Sequence, residues 1–387
     1  MRETVKDIDI LVTSKTPARI MAAFVGLPNV AEVLAQGDTK SSVRLRENIQ
    51  ADLRVVEPDC FGAALQYFTG SKQHNMALRD AAVRKGLHVS EYGVLDDATG
   101  ETHRCATEHE VYALLGLEYI EPELRENRGE LEAAAAGTLP KLIEPGDLRG
   151  DLHSHTTASD GTASIEEMAV AARDFGYEYL AITDHSATHG FGNDVSPQQL
   201  ERQIELVAEA NGRVAGIELL AGSEVNILPD GSLDYEDELL ARLDWVVASV
   251  HTSFAIGERA MTERMIAAIE HPLVDVIAHP TGRLIERRAP YAVDLDAVFA
   301  AAARTGTMLE INGNPDRRDL SDTAARAAAA AGVTIVVDSD AHRIRTLENM
   351  RWGVATARRA WLTAEQVANT RSLAQLRRLR KQSRHRR

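Results

Sequence analysis

The 387 residues predict an α/β protein in two parts: a barrel of parallel strands and helices over the second half, and a smaller α+β unit ahead of it. Three observations carry that expectation. From residue 148 onward, apolar runs of strand length alternate with segments of helix length. The runs are continuous rather than alternating in polarity, as in strands buried on both faces of a parallel sheet. Most of them end in a residue able to bind a metal, and strand ends converge on one mouth when such units close into a barrel.

The first run covers 148–155. Read as a strand, it sets His153 and His155 on one face, because side chains alternate with period two. Asp160 follows on the turn. A lone His-x-His also serves as an ordinary polar pair, and the later runs are what turn it into a ligand pair. Tyr179-Leu180-Ala181-Ile182-Thr183 leads into Asp184-His185, and Leu219-Leu220-Ala221-Gly222-Ser223 into Glu224. Trp245-Val246-Val247-Ala248-Ser249-Val250 leads into His251, and Val274-Asp275-Val276-Ile277-Ala278 into His279-Pro280. Thr334-Ile335-Val336-Val337 leads into Asp338-Ser339-Asp340-Ala341-His342. With Thr307-Met308-Leu309-Glu310-Ile311 there are about seven strands. Segments 164–175, 196–210, 258–270, 294–304 and 321–331 read as the intervening helices. In a closed barrel these His and carboxylates meet in one multinuclear metal site.

The unit ahead of the barrel spans 1–128 and has no such clustering of His. Asp7-Ile8-Asp9-Ile10-Leu11-Val12 reads as a strand with Asp7 and Asp9 on one face. A helix over 17–24 and a hairpin signal, Gln36-Gly37-Asp38-Thr39-Lys40, follow. The strand at 51–56 brings a third carboxylate, Asp52. Three carboxylates on adjacent strands suit Mg²⁺, which takes oxygen ligands, although each alone reads as a solvated strand-end acid. Helices at 59–68 and 73–85, a strand over 87–94 and a helix near 108–115 complete the unit. Residues 129–147, with their alanine run, Gly137, Pro140 and Pro145, read as a linker to a domain at 148–370.

Hydrophobic residues at 44% and charged residues at 26% are the balance of a globular chain. Cys60 and Cys105 supply no disulfide framework and fit a reducing cytoplasm, and no apolar run approaches a membrane span. A net charge of −15 argues against a generally basic nucleic-acid coat. Yet 371–387 holds Arg371, Arg377, Arg378, Arg380, Lys381, Arg384, Arg386 and Arg387 and no acid. That segment reads as a basic tail, either solvated or in contact with phosphates.

These motifs together resemble the C-terminal two-thirds of a bacterial family X DNA polymerase with its PHP (polymerase and histidinol phosphatase) domain. Asp7-Ile8-Asp9 is similar to the catalytic D-x-D of the palm, and Asp52 to its third metal carboxylate. Tyr67-Phe68-Thr69-Gly70-Ser71, with Asn75 and Arg79, resembles the thumb segment that lines the nascent base pair. Tyr119-Ile120-Glu121-Pro122-Glu123-Leu124-Arg125-Glu126 also resembles that family. The resemblance implies a partial palm and thumb followed by a PHP-type distorted (β/α)7 barrel. Two departures stand out. Lys6 occupies the place of a Gly before the D-x-D, and only Met1 and Arg2 precede Glu3, where the family has its fingers and triphosphate-binding segment. The expectation is impaired nucleotide transfer, since orientation of the phosphates is then lost.

For the barrel, the resemblance implies nine ligands: His153, His155, Asp160, His185, Glu224, His251, His279, Asp340 and His342. It assigns them to three divalent metals, with Glu224 bridging two. His153, His155 and Asp340 complete the first, His251 and His279 the second, and Asp160, His185 and His342 hold the third. Mixed His and carboxylate ligands suit Zn²⁺, Mn²⁺ or Fe²⁺, and the Asp7, Asp9 and Asp52 set suits Mg²⁺ or Mn²⁺. Arg283, Arg287, Arg288 and Arg317 are candidates to grip a phosphate or to form a solvated rim, and Glu310 and Asn312 to orient ligating imidazoles. The function implied is a metal-dependent phosphoesterase acting on DNA, a 3′–5′ exonuclease in end processing and repair, working as a cytoplasmic monomer. The alternatives are a small-molecule phosphatase of the histidinol-phosphate type and a DNA-binding scaffold with a vestigial polymerase half.

Overall fold

A computed structural model describes residues 2–188, 190 and 192–381. The chain divides into two compact units, Met1–Leu139 and Pro140–Arg387. In the first, β1 (Asp7–Thr13), α1 (Pro17–Val25), β2 (Val30–Gln36), β3 (Lys40–Leu45) and β4 (Gln50–Val56) form a sheet of order β1-β4-β3-β2 with α1 on one face. Pro17 opens α1, where its missing N–H costs nothing. Met21 and Phe24 of α1 then bury against Val43, Ala51, Leu53 and Val55. β4 alternates buried and half-buried residues, so its other face stays open and polar. The turn between β2 and β3 is closed by the Gly37 amide on the Lys40 carbonyl at 2.8 Å.

Next come α2 (Phe61–Phe68), α3 (Lys72–Val83), a small antiparallel sheet of β5 (Leu87–Ser90), β6 (Gly93–Asp96) and β7 (Thr102–His103), α4 (Glu108–Leu114) and α5 (Glu130–Ala136). The strand expected over 87–94 is thus a hairpin. Ser71 caps α3 by accepting the His74 amide, and Thr107 and Glu110 form a capping box on α4. The expected linker at 129–147 is folded. Its alanines make α5, and buried Glu130 anchors that helix, accepting the Asn127 and Arg128 amides and lying 2.6 Å from His74 Nδ1. The polarity of Glu130 hid this role. The Arg125 guanidinium is fully buried, bonded to Glu108 and the Ile120 carbonyl.

The second unit runs β8 (Gly150–Asp151), α6 (Ile165–Asp174), β9 (Tyr179–Ile182), α7 (Pro197–Arg213), β10 (Glu218–Asn226), α8 (Asp237–Leu240), β11 (Trp245–Ser249), α9 (Glu258–Glu270), β12 (Val276–Ile277), α10 (Leu295–Thr305), β13 (Met308–Asn312), α11 (Asp322–Ala330), β14 (Ile335–Asp338), α12 (Met350–Arg359) and α13 (Leu373–Leu379). Its seven strands are parallel and in sequence order from β8 to β14. The period of two divides their side chains. Leu180, Ile182, Leu219, Ala221, Val246 and Ala248 pack outward among the helices. Tyr179, Ala181, Leu220, Trp245, Val247 and Val276 fill the interior. The first and last strands are stitched by side chains: Asp338 accepts the Leu152 amide at 2.9 Å, and Asp151 accepts the Ser339 amide at 3.2 Å. The barrel is nearly closed.

Two expectations change here. The run 148–155 supplies only the two-residue strand β8, and His153 and His155 lie beyond it on either side of Ser154, which bridges Ala341. The segment from 371 is not a tail through residue 381. α13 inserts Leu376 into the interior core, and Lys381 Nζ bonds the carbonyls of Ile269 and His271 at the C-terminal end of α9. Cations favour that end of a helix, which is why charge alone misled. Arg384, Arg386 and Arg387 lie outside the described residues. Among the described residues, no helix is long and apolar enough to cross a membrane.

Candidate metal centre

Strand ends and the loops after them carry every ligand expected in the barrel, and the fold brings all nine to one mouth. Glu224 sits within β10, three residues past Ala221, where β9 ends beside it, and is 1% exposed. Its Oε1 lies 2.9 Å from His279 Nε2 and 3.2 Å from His251 Nε2. Its Oε2 lies 2.9 Å from His185 Nδ1, 3.3 Å from His153 Nε2 and 3.6 Å from His155 Nε2. Asp340 Oδ1 lies 3.2 Å from His155 Nε2 and 3.8 Å from His153 Nε2. Asp160 lies 3.2 Å from His342 Nε2 and 3.6 Å from His185 Nε2.

Among the described residues, three overlapping groups have ligand atoms within 4.8 Å of one another: His155, Asp160, His185 and His342; His153, His155 and Glu224; His185, Glu224 and His251. His155 and His185 each belong to two groups, a sharing the sequence did not indicate. The donor set fits divalent ions. His153 Nε2 and both ring nitrogens of His155 are buried without a hydrogen bond, although carboxylate oxygens lie 3.2–3.8 Å away. Two donors bound to one ion at about 2.1 Å are themselves separated by about 3.0–3.4 Å.

The charge balance agrees. Burial disfavours the Glu224 carboxylate, yet His251, His153 and His185 hold it well below the usual range. Burial also opposes ionisation of Asp160, and hydrogen bonds from His185 and His342 overcome it. Burial and the neighbouring His342 and His185 push His155 down to about 3, so it is neutral, the form that binds a metal. Around the ligands, Glu310 accepts His153 Nδ1–H at 2.7 Å and the His279 amide at 2.6 Å, and Asn312 donates to Asp340 at 3.1 Å. Of the four arginines, Arg283 donates to the Arg318 carbonyl, Arg287 pairs with Asp316, and Arg288 lies over the Phe254 ring. Arg317 turns to the centre, with Nε 3.7 Å from Asp340. Asp184 and Asp234, which hold the loops around His185, were missed; nothing in Asp184-His185 distinguishes ligand from anchor.

In the first unit, Asp9 stands directly opposite Asp52 in the parallel β1–β4 register, with Asp7 opposite Gln50. Burial, then Asp7 and Asp52, raise the Asp9 carboxyl. Burial works against Asp52, but hydrogen bonds from Gln50 and Ser42 and the charge of Lys40 at 3.9 Å keep it low. Tyr67, Phe68 and Gly70 end α2 and lead into α3, which carries Asn75 and exposed Arg79. Asn75 ties the two helices by donating to the Tyr67 carbonyl at 2.9 Å. Gly70 has φ +97°, and a Cβ there would meet Arg125 Cβ at 2.6 Å, so only glycine fits.

Comparison with known proteins follows the same division. A model of the DNA polymerase beta thumb matches residues 64–126, and a model of the PHP domain matches residues 151–314. A Bacillus subtilis protein named "DNA polymerase/3′-5′ exonuclease PolX" is 43% identical over 374 residues, 96% of this chain. The chain spans 65% of that relative's length. Proteins named "Probable phosphatase" from Thermoanaerobacter sp. (strain X514) and Shewanella oneidensis are 32% and 35% identical. These matches cover 57% and 50% of this chain and 89% and 75% of theirs. The chain belongs to the PHP-domain family, and a segment similar to the DNA polymerase beta thumb precedes its PHP domain.

Proposed function

We propose that the second unit is a divalent-metal phosphoesterase that removes nucleotides from DNA 3′ ends, a 3′–5′ exonuclease in end processing and repair. The observation that carries this reading is the convergence of five imidazoles on the single buried carboxylate of Glu224 at one barrel mouth. Three metals of the Zn²⁺, Mn²⁺ or Fe²⁺ class suit the nine donors. When bound, such ions supply a water-derived nucleophile near neutral pH and neutralise charge on the phosphoryl oxygens. The chain's own groups do the rest. Glu310 fixes the His153 tautomer, Asn312 orients Asp340, and Arg317 grips a non-bridging phosphate oxygen.

DNA is favoured over a small phosphate ester by the first unit, whose thumb residues Tyr67, Asn75 and Arg79 have no use for a small substrate. Asp7, Asp9 and Asp52 are proposed to hold Mg²⁺ or Mn²⁺ for nucleotidyl transfer. One chain supplies every ligand, which suits a monomer, and the two cysteines, Cys60 and Cys105, are free, which suits the cytoplasm. The test is degradation of a 3′-recessed DNA strand in the presence of Mn²⁺. Asp340→Ala is expected to remove it, and degradation at the unmodified rate would overturn the assignment.

A further inference from the structure

Asp184 stands beside His185 but contributes no atom to any ligand group. Its carboxylate is 1% exposed and accepts four hydrogen bonds. Oδ1 takes the Thr156 amide at 2.7 Å and Ser159 Oγ at 2.6 Å. Oδ2 takes Thr156 Oγ1 at 2.7 Å and Gln203 Nε2 at 3.1 Å. A carboxylate has about four acceptor positions, and here all are used by the protein. Three of the four bonds come from the short loop between the ligands His155 and Asp160; the fourth comes from α7.

The consequence is selective. Through Thr156, Asp184 fixes the exit of His155; through Ser159, it fixes the approach to Asp160; by the peptide bond, it fixes His185. Those are three of the four residues in the group of His155, Asp160, His185 and His342. The other side of the centre has its own anchor in Glu310, which holds His153 and the His279 backbone. The geometry points to Asp184 as the positioning residue of the Asp160-centred metal site, setting the affinity of that ion separately from the ions around Glu224. Asp160 and His342 have 38% and 31% of their side chains exposed, so this is the ion nearest solvent, and the one whose retention depends most on a rigid loop.

This inference rests on the metal-site reading above and has its own measurement. Wild type and Asp184→Asn are dialysed against graded Mn²⁺, and metal per chain is read by mass spectrometry alongside the thermal melt. Loss of an outer-shell partner costs about 10–100-fold in metal affinity. The expected result is one ion per chain fewer in the variant at low free Mn²⁺, recovered at about 10–100-fold higher Mn²⁺, with the more tightly held ions retained. A purely structural role would instead lower the melt and release all ions together. Identical Mn²⁺ curves, or parallel loss of every ion, would overturn the assignment. Should Asp184→Asn not fold, Ser159→Ala removes the 2.6 Å bond to Asp184 together with the longer 3.4 Å bond to Asp160, and a shift in the same direction is expected. An unshifted curve in Ser159→Ala would then overturn it. DNA hydrolysis by wild type is scored separately. Wild type that binds ions but spares DNA would remove the exonuclease reading and leave the anchor standing.

Discussion

Glu310 is the residue on which the inner half of the metal centre turns. It is buried, its Oε1 accepts the His153 ring N–H, and its Oε2 accepts the His279 amide, so one carboxylate sets two ligands that meet Glu224. Glu310→Gln keeps the shape but replaces an acceptor with an amide that cannot serve both donors. Hydrolysis and metal affinity are expected to fall about 10–100-fold, read as the Mn²⁺ dependence of DNA degradation. An unchanged Mn²⁺ requirement would leave Glu310 as mere core filling. At this scale the ligands themselves were legible, because His and acids at successive strand ends have few other reasons to recur. Their supports were not. Asp184 and Asp151 are adjacent to ligands or nearly so in sequence, and only the hydrogen bonds they accept show that the protein itself occupies their carboxylates.

Among the elements, α13 lies in a stretch that reads as a tail in the sequence, and its energetics can be tested. Leu376 is 1% exposed inside the barrel, and burying a leucine contributes about 1.5–3 kcal/mol. Lys381 and Arg380 add bonds to the Ile269, His271 and Leu243 carbonyls, at about 1 kcal/mol each. Deleting residues 373–387 is expected to lower unfolding free energy by about 4–6 kcal/mol, measured by urea denaturation. The loss has a pH signature. Burial pushes the Asp275 carboxyl up to about 6, and Arg380 and Lys381 are the cations that restrain it. A folded pKa raised above the unfolded value favours the fold at low pH and weakens it as pH rises through the folded pKa. Removing both cations raises the group further, so truncation is expected to cost more at pH 8 than at pH 5. An equal cost at both would show that Asp275 does not depend on α13. The regular β/α alternation was legible because parallel strands leave unbroken apolar runs. By contrast, α5 and α13 are built from alanine or arginine around few buried residues, Glu130 and Ala134 in the one and Leu376 in the other, which periodicity does not register.

For the whole molecule, the proposed action on DNA has to be reconciled with a strongly acidic chain. A net charge of −15 repels a phosphate backbone, so contact has to be local and made by a few oriented cations. The first unit offers such a place. α2 and α3 are locked together by Asn75 on the Tyr67 carbonyl and by Gln66 on Asn75, and Arg79 is exposed one turn further along α3. Arg54 is already committed over the Phe68 ring at 4.6 Å, whereas Arg79 is exposed and, like Lys72 at the start of α3, available to a phosphate or a groove edge. Each phosphate neutralised on duplex DNA contributes about 0.9 to the slope of log affinity against log salt. Arg79→Ala is therefore expected to weaken DNA binding and flatten that slope by about 0.9. It should raise the KM for a recessed DNA strand more than it lowers kcat, because the bond-breaking groups lie in the other unit. Binding would be followed by fluorescence anisotropy between low and physiological salt, on the Asp340→Ala background so that the DNA survives the measurement. A slope identical to that of the parent would mean that the thumb segment does not hold the strand. The proposed exonuclease would then recognise DNA through the barrel mouth alone, where Arg317 is the cation turned towards the ligands.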